Sequence, residues 1–197
     1  LLISRSGCLY AYYKSTNECA GPDRPTPTTG MQAIVYCDYG SPDVLKLETV
    51  EKLETVEKPV PTDSQVLVRV RAAAVNPLDW HYMRGSPRIA RMEMGLRKPK
   101  DIRLGVDLAG TVEAVGSAVT RFRPGDEVFG ARTGAFAQYV TVRESYVASK
   151  PSNISFEQAA AVPVAALTAL QAQRDQAALQ PGEKVLINRA SGGVGTC

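Results

Sequence analysis

Apolar and polar residues alternate along several short segments of the chain, and clusters of glycine, proline and aspartate separate these segments. The clearest alternation covers residues 65–71, where valines and a leucine are interspersed with polar side chains. This pattern predicts a strand with one face in the core. Further strands are predicted at residues 32–36, 106–115, 127–131 and 136–142, and strands of these lengths fit a compact, partly open β-barrel.

Residues 151–197 show a different pattern, which is typical of α/β structure. Ser155 and Gln158 have the spacing of a capping box, and an alanine-rich run of strong helix formers continues past Pro163 to Ala178. A Pro-Gly pair ends the helix, and residues 184–188 are predicted to form a short buried strand. The expected fold class is therefore mixed β and α/β, with a barrel domain at residues 31–150 and the start of a second domain at residues 151–197.

The first thirty residues lack a starting methionine and end in a stretch rich in turn-forming residues, without helical or strand periodicity. We expect residues 1–30 to be a disordered leader, with a targeting peptide or a non-native leader as alternatives. Met31 is the natural beginning, because strand-like composition starts there. The hexapeptide at residues 47–52 is repeated at residues 53–58, which we interpret as a local duplication without a function.

Composition narrows the function classes. The 23 basic and 20 acidic residues give a net charge of +3 that is spread along the sequence, so we expect no nucleic-acid partner. No apolar run approaches the roughly 20 residues that cross a bilayer, so we expect no membrane partner and a cytoplasmic location. The chain has one histidine and four cysteines without Cys-x-x-Cys spacing, so no metal site is expected.

The glycine-rich turn after the predicted strand at residues 184–188 is the motif with the clearest chemistry. In a dinucleotide-binding βαβ unit such a turn lets backbone N–H groups approach a pyrophosphate. The predicted cofactor-binding residues are Ala190, Ser191, Gly192, Gly193, Val194 and Gly195, with Ala190 in the place of the first glycine of the usual motif. The alternative is a glycine-rich loop used only for a tight bend or close packing.

Four blocks carry a family resemblance, and they occur in that family's order: residues 73–80, 104–110, 123–130 and 182–187 with the glycine turn. From Met31 onward the chain resembles the medium-chain dehydrogenase/reductases, and among them the zinc-free quinone oxidoreductase or zeta-crystallin-like branch. The resemblance implies a GroES-like catalytic domain followed by the start of a Rossmann-type NAD(P)-binding domain. The nicotinamide would lie in the cleft between the two domains.

The resemblance also implies a chemistry. Zinc-dependent members of the family place a His-Glu pair where this chain has Val106 and Asp107, and a cysteine near Asn76, so no zinc is expected here. The implied reaction is hydride transfer from NADP or NAD, with NADP favoured, to a quinone, an enone or a similar carbonyl acceptor. The partners are then a small-molecule substrate and, for the full-length parent, a second copy in a homodimer.

The resemblance assigns three further roles to single residues, each with an alternative. Asn76 would lie beside the nicotinamide and donate to a carbonyl, or else form an Asx-turn before Pro77. Tyr82 would orient the substrate or donate a proton, or else serve in packing. Thr168 would contact the cofactor, or else bond to its own helix backbone. Arg189 stands where the family has glycine or alanine, and we expect it to crowd the turn.

Two aspartates, Asp79 and Asp126, are interpreted as structural residues that accept from nearby backbone N–H groups. A Rossmann domain needs several strands, and this chain supplies only the first, so we expect the 197-residue chain to be an inactive fragment of an active oxidoreductase. The alternatives are a non-catalytic GroES-like interaction or scaffold protein and a decayed gene product.

Overall fold

The computed structural model describes residues 2–3, 9–11, 31–50, 59–188 and 190–195. The strands are β1 (Leu2–Ile3), β2 (Leu9–Ala11), β3 (Met31–Val35), β4 (Lys46–Val50), β5 (Gln65–Ala74), β6 (Asp107–Val115), β7 (Glu127–Ala131), β8 (Tyr139–Arg143) and β9 (Val147–Ser149). The helices are α1 (Pro77–Arg84), α2 (Arg91–Met94), α3 (Phe156–Ala160) and α4 (Pro163–Gln171), and a π-helical turn at Ala172–Gln176 follows α4.

Most of the strands form one antiparallel sheet in the order β1-β2-β5-β6-β7-β9, and β8 pairs with the first half of β5. β3 and β4 form a separate antiparallel pair, and isolated bridges join Ala33 to Ala137, before β8, and Val35 to Arg103, before β6. Side chains from β5 to β9 meet in a single buried cluster, which requires the sheet to wrap around its own core. This arrangement confirms the partly open barrel that the strand lengths predicted.

An irregularity in β5 decides which of its side chains reach the barrel core. The register with β6 shifts between Val70 and Ala72, so one residue is added to β5 at Arg71. Val66 and Val68 point into the core, but after the shift Ala73 joins them while Ala72 faces α3. The series of core-facing residues at every second position therefore stops at the bulge, and Leu67, between two core-facing valines, is buried as well at 3% exposure.

The predicted helical region is confirmed from its first residue. The Ser155 hydroxyl accepts from the backbone N–H of Gln158 at 3.2 Å, and the Gln158 side chain accepts from the backbone N–H of Ser155 at 2.9 Å. Ala159 and Ala160 are fully buried against Ala72 and Ala109, because alanine allows close approach of the helix to the sheet. Regular helix ends at Gln171, seven residues before the predicted end at Ala178.

The predicted buried strand at residues 184–188 is wrong. The segment has no strand structure, and Val185, Leu186 and Ile187 are 52%, 94% and 53% exposed. A strand needs a neighbour that pairs with its N–H and C=O groups, and no described strand pairs with this segment.

The structure also contains strands where none was predicted. The first four residues of the first hexapeptide copy, residues 47–50, belong to β4. The second copy, residues 53–58, lies outside the described residues. β9 is only three residues long. β1 and β2 fall within the predicted disordered leader, and β2 pairs with Ala73 and Ala74 of β5. For these five leader residues the structure differs from the expectation, and the remaining leader residues lie outside the described part of the chain.

Among the described helices, none has the length and apolar character to span a bilayer.

Candidate functional site

The site begins where β5 ends and α1 starts. Asn76 is the N-cap of α1, and Pro77 at the first helical position favours a helix start there. The carboxylate of Asp79 accepts from the backbone N–H of Asn76 at 2.7 Å, and the Asn76 side chain faces the backbone N–H of Asp79. This capping box fixes the backbone of Asn76, and it confirms that Asp79 accepts from a local backbone donor.

The side chain of Asn76 is held by a residue from a distant part of the sequence. Its amide Nδ2 donates to Oδ2 of Asp107, the first residue of β6, at 3.1 Å. The bond joins the two family blocks at residues 73–80 and 104–110, whose proximity was not visible in the sequence. Because an amide nitrogen carries two hydrogens, one N–H of Asn76 remains for a further acceptor.

Asp107 also holds the start of α4. The backbone N–H of Val164 lies 3.2 Å from Oδ1 and 3.1 Å from Oδ2 of Asp107, so the carboxylate caps a helix that is far away in sequence. Asp107 is 0% exposed. Burial raises the pKa of Asp107 to about 6, although the hydrogen bonds from Val164 and Asn76 lower it, and the nearby charge of Asp79 adds to the rise.

Asp79 is the second buried carboxylate at the site, at 4% exposure. Its Oδ1 has no hydrogen-bond partner among the described residues. Burial raises the pKa of Asp79 to about 6, and the backbone N–H groups of Asn76 and Gly105 only partly oppose this effect. Two buried carboxylates with raised pKa values therefore flank Asn76, one at its backbone and one at its amide.

Tyr82 and Thr168 lie in surroundings that match the alternative interpretation of each. Tyr82 is half-buried and packs against the cluster of Tyr36, Met83 and Leu104. The Thr168 hydroxyl is exposed and donates to the backbone carbonyl of Val164 at 2.6 Å, one turn earlier in α4. A cofactor role for Thr168 would require this hydroxyl to exchange its helix partner for a ligand. The catalytic role of Tyr82 and the cofactor-binding role of Thr168 stay predictions.

The glycine-rich turn is exposed over Ala190 to Gly193 and lies in a series of turns. A Cβ atom added at Gly193 would meet no atom within 4 Å, so the space beside its backbone is open to a ligand. In this respect the turn fits a pyrophosphate, which needs room close to the backbone of such a turn. Arg189, which we expected to crowd the turn, lies outside the described residues.

The sequence and the fold are similar to those of known proteins. The Alcohol dehydrogenase GroES-like domain matches residues 62–152. The quinone oxidoreductase of Lama guanicoe is 38% identical over 168 residues, which cover 84% of this chain and 47% of the relative. The NADPH-dependent alkenal/one oxidoreductase of Arabidopsis thaliana, a chloroplastic protein, is 37% identical over 84% of this chain and 42% of its own length. The solved quinone oxidoreductase of Coxiella burnetii superposes with a TM-score of 0.71 at 36% identity, over 84% of this chain and 51% of that one.

The chain belongs to the medium-chain dehydrogenase/reductase family. Its quinone oxidoreductase relatives confirm the predicted resemblance, and the GroES-like domain confirms the predicted fold class. The chain spans about half the length of the curated relatives that it matches.

The family includes zinc-dependent members, which carry metal ligands at the positions of Val106 and Asp107 and near Asn76. In the part of the chain that the structure describes, no three His, Cys, Asp or Glu side chains form a group able to hold a metal ion. The expected absence of zinc stays a prediction.

Sequence reasoning missed Asp107 as a site residue and treated it only as a replaced metal ligand. A signal was present, since Asp107 lies inside the apolar block at residues 104–110 and within the predicted strand at residues 106–115. Buried carboxylates are rare unless they are paired or hydrogen-bonded. The identity of its partners, Asn76 and Val164, depends on tertiary structure and had no sequence signal.

Proposed function

We propose that the protein is a zinc-independent, NADPH-dependent oxidoreductase that transfers a hydride to a quinone, an enone or a similar carbonyl acceptor. The observation that supports this best is the hydrogen bond between Asn76 and Asp107. It lies at the positions where zinc-dependent members of the family hold their metal, and it provides an amide donor there.

The contacts of Asp107 argue against a metal ligand at this position. Its oxygens accept from the amide of Asn76 and the backbone N–H of Val164. In each contact a hydrogen occupies an oxygen lone pair of Asp107 that a metal ion would use. Asn76 offers an N–H group rather than a thiolate. The proposed site therefore polarises a substrate carbonyl by hydrogen bonding.

The relatives supply the cofactor and substrate classes of the proposal. The Arabidopsis thaliana relative is named for NADPH and for alkenals and alkenones, and the Lama guanicoe relative is named for quinones. Both acceptor types carry a carbonyl conjugated to a carbon that can receive a hydride. The reduced nicotinamide supplies that hydride and its electron pair, and a proton completes the reduction.

The residues of this chain take separate roles in the proposal. Asn76 donates its remaining N–H to the acceptor carbonyl, so that negative charge on the oxygen is stabilised as the hydride arrives. Residues 190–195 hold the pyrophosphate through backbone N–H groups. Thr168 contacts the cofactor from α4, and Tyr82 orients the substrate. These assignments divide the chain into a catalytic domain at residues 31–150 and a nucleotide-binding part from residue 151.

We expect residues 1–197 by themselves to bind a dinucleotide less well than a protein with a complete nucleotide-binding domain. Val185, Leu186 and Ile187 are exposed, and the strand that should support the glycine turn is not formed among the described residues. An unsupported turn holds a phosphate poorly, because its N–H groups are not fixed in direction. We therefore expect weak dinucleotide binding and no turnover from these residues by themselves.

A fluorescence titration with NADPH and NADH tests the proposal on the 197-residue chain and on the product of the complete reading frame that encodes it. We expect binding by the reading-frame product, with NADPH preferred. Gly193→Val should abolish this binding, because the added side chain fills the space that the pyrophosphate needs. It should not unfold the protein, because no atom lies within 4 Å of the added Cβ. Ser152→Val, at another exposed turn, serves as the control. If neither protein binds either dinucleotide, the cofactor proposal is wrong and a non-catalytic GroES-like protein becomes the better interpretation.

A further inference from the structure

The carboxylate of Asp107 connects the beginnings of two helices. Asn76 is the N-cap of α1, and Val164 lies in the first turn of α4. Both are bonded to the same buried side chain, at 3.1 Å from the Asn76 amide and 3.1 Å from the Val164 nitrogen to Oδ2. The barrel and the helix that leads toward the glycine turn therefore share one polar contact.

The chemistry of the two partners explains why this buried position holds an acid. Asn76 Nδ2 and Val164 N are both donors. A carboxylate offers only acceptors, whereas an asparagine of the same shape offers one acceptor and one donor. The Val164 nitrogen contacts both oxygens of Asp107, so asparagine at position 107 would direct an N–H group toward Val164 in either orientation, and toward Asn76 as well in one of them.

The same contact determines where a cofactor phosphate does not bind. The N-terminus of a helix attracts anions, and in α4 the carboxylate of Asp107 already occupies that place. Asp107 has 0% exposure, so a ligand phosphate does not replace it without opening the core. The start of α4 is therefore a structural joint and not a phosphate site.

We propose that Asp107 is a positioning residue that holds the Asn76 amide and the first turn of α4 in one arrangement, and so sets the direction in which Asn76 presents its remaining N–H. The hold on α4 and on the amide is a property of the chain itself. The effect on a bound carbonyl rests on the proposed function. The two parts are tested separately.

The first test uses NMR of the 197-residue chain at pH 7.5. It follows hydrogen exchange at the Val164 N–H and the resonances of the Asn76 side-chain amide. Asp107→Asn should speed exchange at Val164 by about tenfold or more, as expected for a lost buried hydrogen bond, and should shift the amide resonances of Asn76. Asn76→Ala should leave Val164 protected, because Asp107 still caps α4.

Two further variants make the first test decisive. Asp126→Asn is the matched control, because Asp126 is exposed and, among the described residues, its side chain accepts only from the backbone N–H of Arg123, at 2.8 Å. It should change neither signal. Asp107→Glu keeps both acceptors, so it should protect Val164 better than Asp107→Asn does, and it replaces that variant if the asparagine chain does not fold. Unchanged signals in Asp107→Asn, or equal loss of protection in Asn76→Ala or Asp107→Glu, would overturn the proposal.

The second test measures NADPH oxidation with 1,4-benzoquinone by the product of the complete reading frame. Asn76→Ala and Asp107→Asn should each lower kcat with a smaller effect on KM, and the double variant should be no slower than the slower single variant. Additive losses would show that Asp107 does not act through Asn76. If the unmodified protein does not oxidise NADPH, the proposed function fails, and the exchange data still decide whether Asp107 positions Asn76 and α4.

Discussion

Gly105 stands in the connection from α2 to β6, two residues before Asp107, and its backbone has a φ of 91°. A Cβ atom there would lie 2.6 Å from the backbone nitrogen of Phe136, so side chains are excluded by contact as well as by backbone conformation. Gly125 has a similar φ of 99°, but a Cβ atom there would meet nothing within 4 Å. A side chain at Gly125 would therefore meet backbone strain alone, whereas a side chain at Gly105 would meet backbone strain and steric overlap with Phe136.

Replacing each of these glycines with alanine gives a measurable difference. Gly125→Ala should lower the free energy of unfolding by about 1–2 kcal/mol, the typical cost of a positive φ for an L-residue. Gly105→Ala should cost at least about 2 kcal/mol more, because Phe136 must move. Urea denaturation of both variants checks this expectation. Equal losses would mean that the close approach of Phe136 to Gly105 has no energetic weight.

The buried carboxylates predict how stability depends on pH. The pKa of Asp79 in the folded chain is about 6, above its ordinary value of 3.8, so the folded state binds the proton more tightly than the unfolded state does. The same holds for Asp107. Their contribution is therefore fully present below about pH 4 and is lost as the pH rises through about 6.

Asp79→Asn should flatten this part of the curve. A shift of two pKa units corresponds to at most about 3 kcal/mol, so the free energy of unfolding should fall between pH 4 and pH 6 by less in the variant than in the original chain. Denaturant unfolding at several pH values provides the measurement. Asp126→Asn, at an exposed aspartate, should keep the original slope. An unchanged slope in Asp79→Asn would contradict the assigned burial effect.

At the scale of elements, α3 depends on its capping box. Ser155→Ala removes the hydroxyl that accepts from the Gln158 N–H, and it should lower the free energy of unfolding by about 1 kcal/mol. Ser152→Ala, in the exposed turn before α3, is the control and should have little effect. Thermal unfolding of the two variants checks the difference. The expectation fails if both variants unfold at the same temperature.

Local patterns were sufficient for the elements that local chemistry determines. Ser155 and Gln158 predicted the start of α3, and the valines of β5 predicted a strand with a core face. The bulge at Arg71 was not predictable, because it arises from pairing with β6. The same reasoning applies to the site: Asn76 was found through a sequence block, whereas Asp107 and Val164 meet it only through tertiary packing.

At the scale of the whole molecule, residues 184–188 show where sequence patterns stop being sufficient. Their apolar run is typical of a buried strand, yet Leu186 is 94% exposed. A strand is stable only beside a partner strand, and composition does not reveal whether that partner is present. The barrel and α3 close around their own clusters, so their patterns alone were enough.

The central claim is that a hydride passes from NADPH to a conjugated carbonyl at Asn76. The most direct measurement incubates the product of the complete reading frame with an alkenone and with NADPH that carries deuterium at the transferred position of C4, and then analyses the product by mass spectrometry. We predict deuterium at the β-carbon of the saturated ketone, with much less product from Asn76→Ala. Absence of the label from the product, or an unchanged yield from Asn76→Ala, would contradict the proposed function.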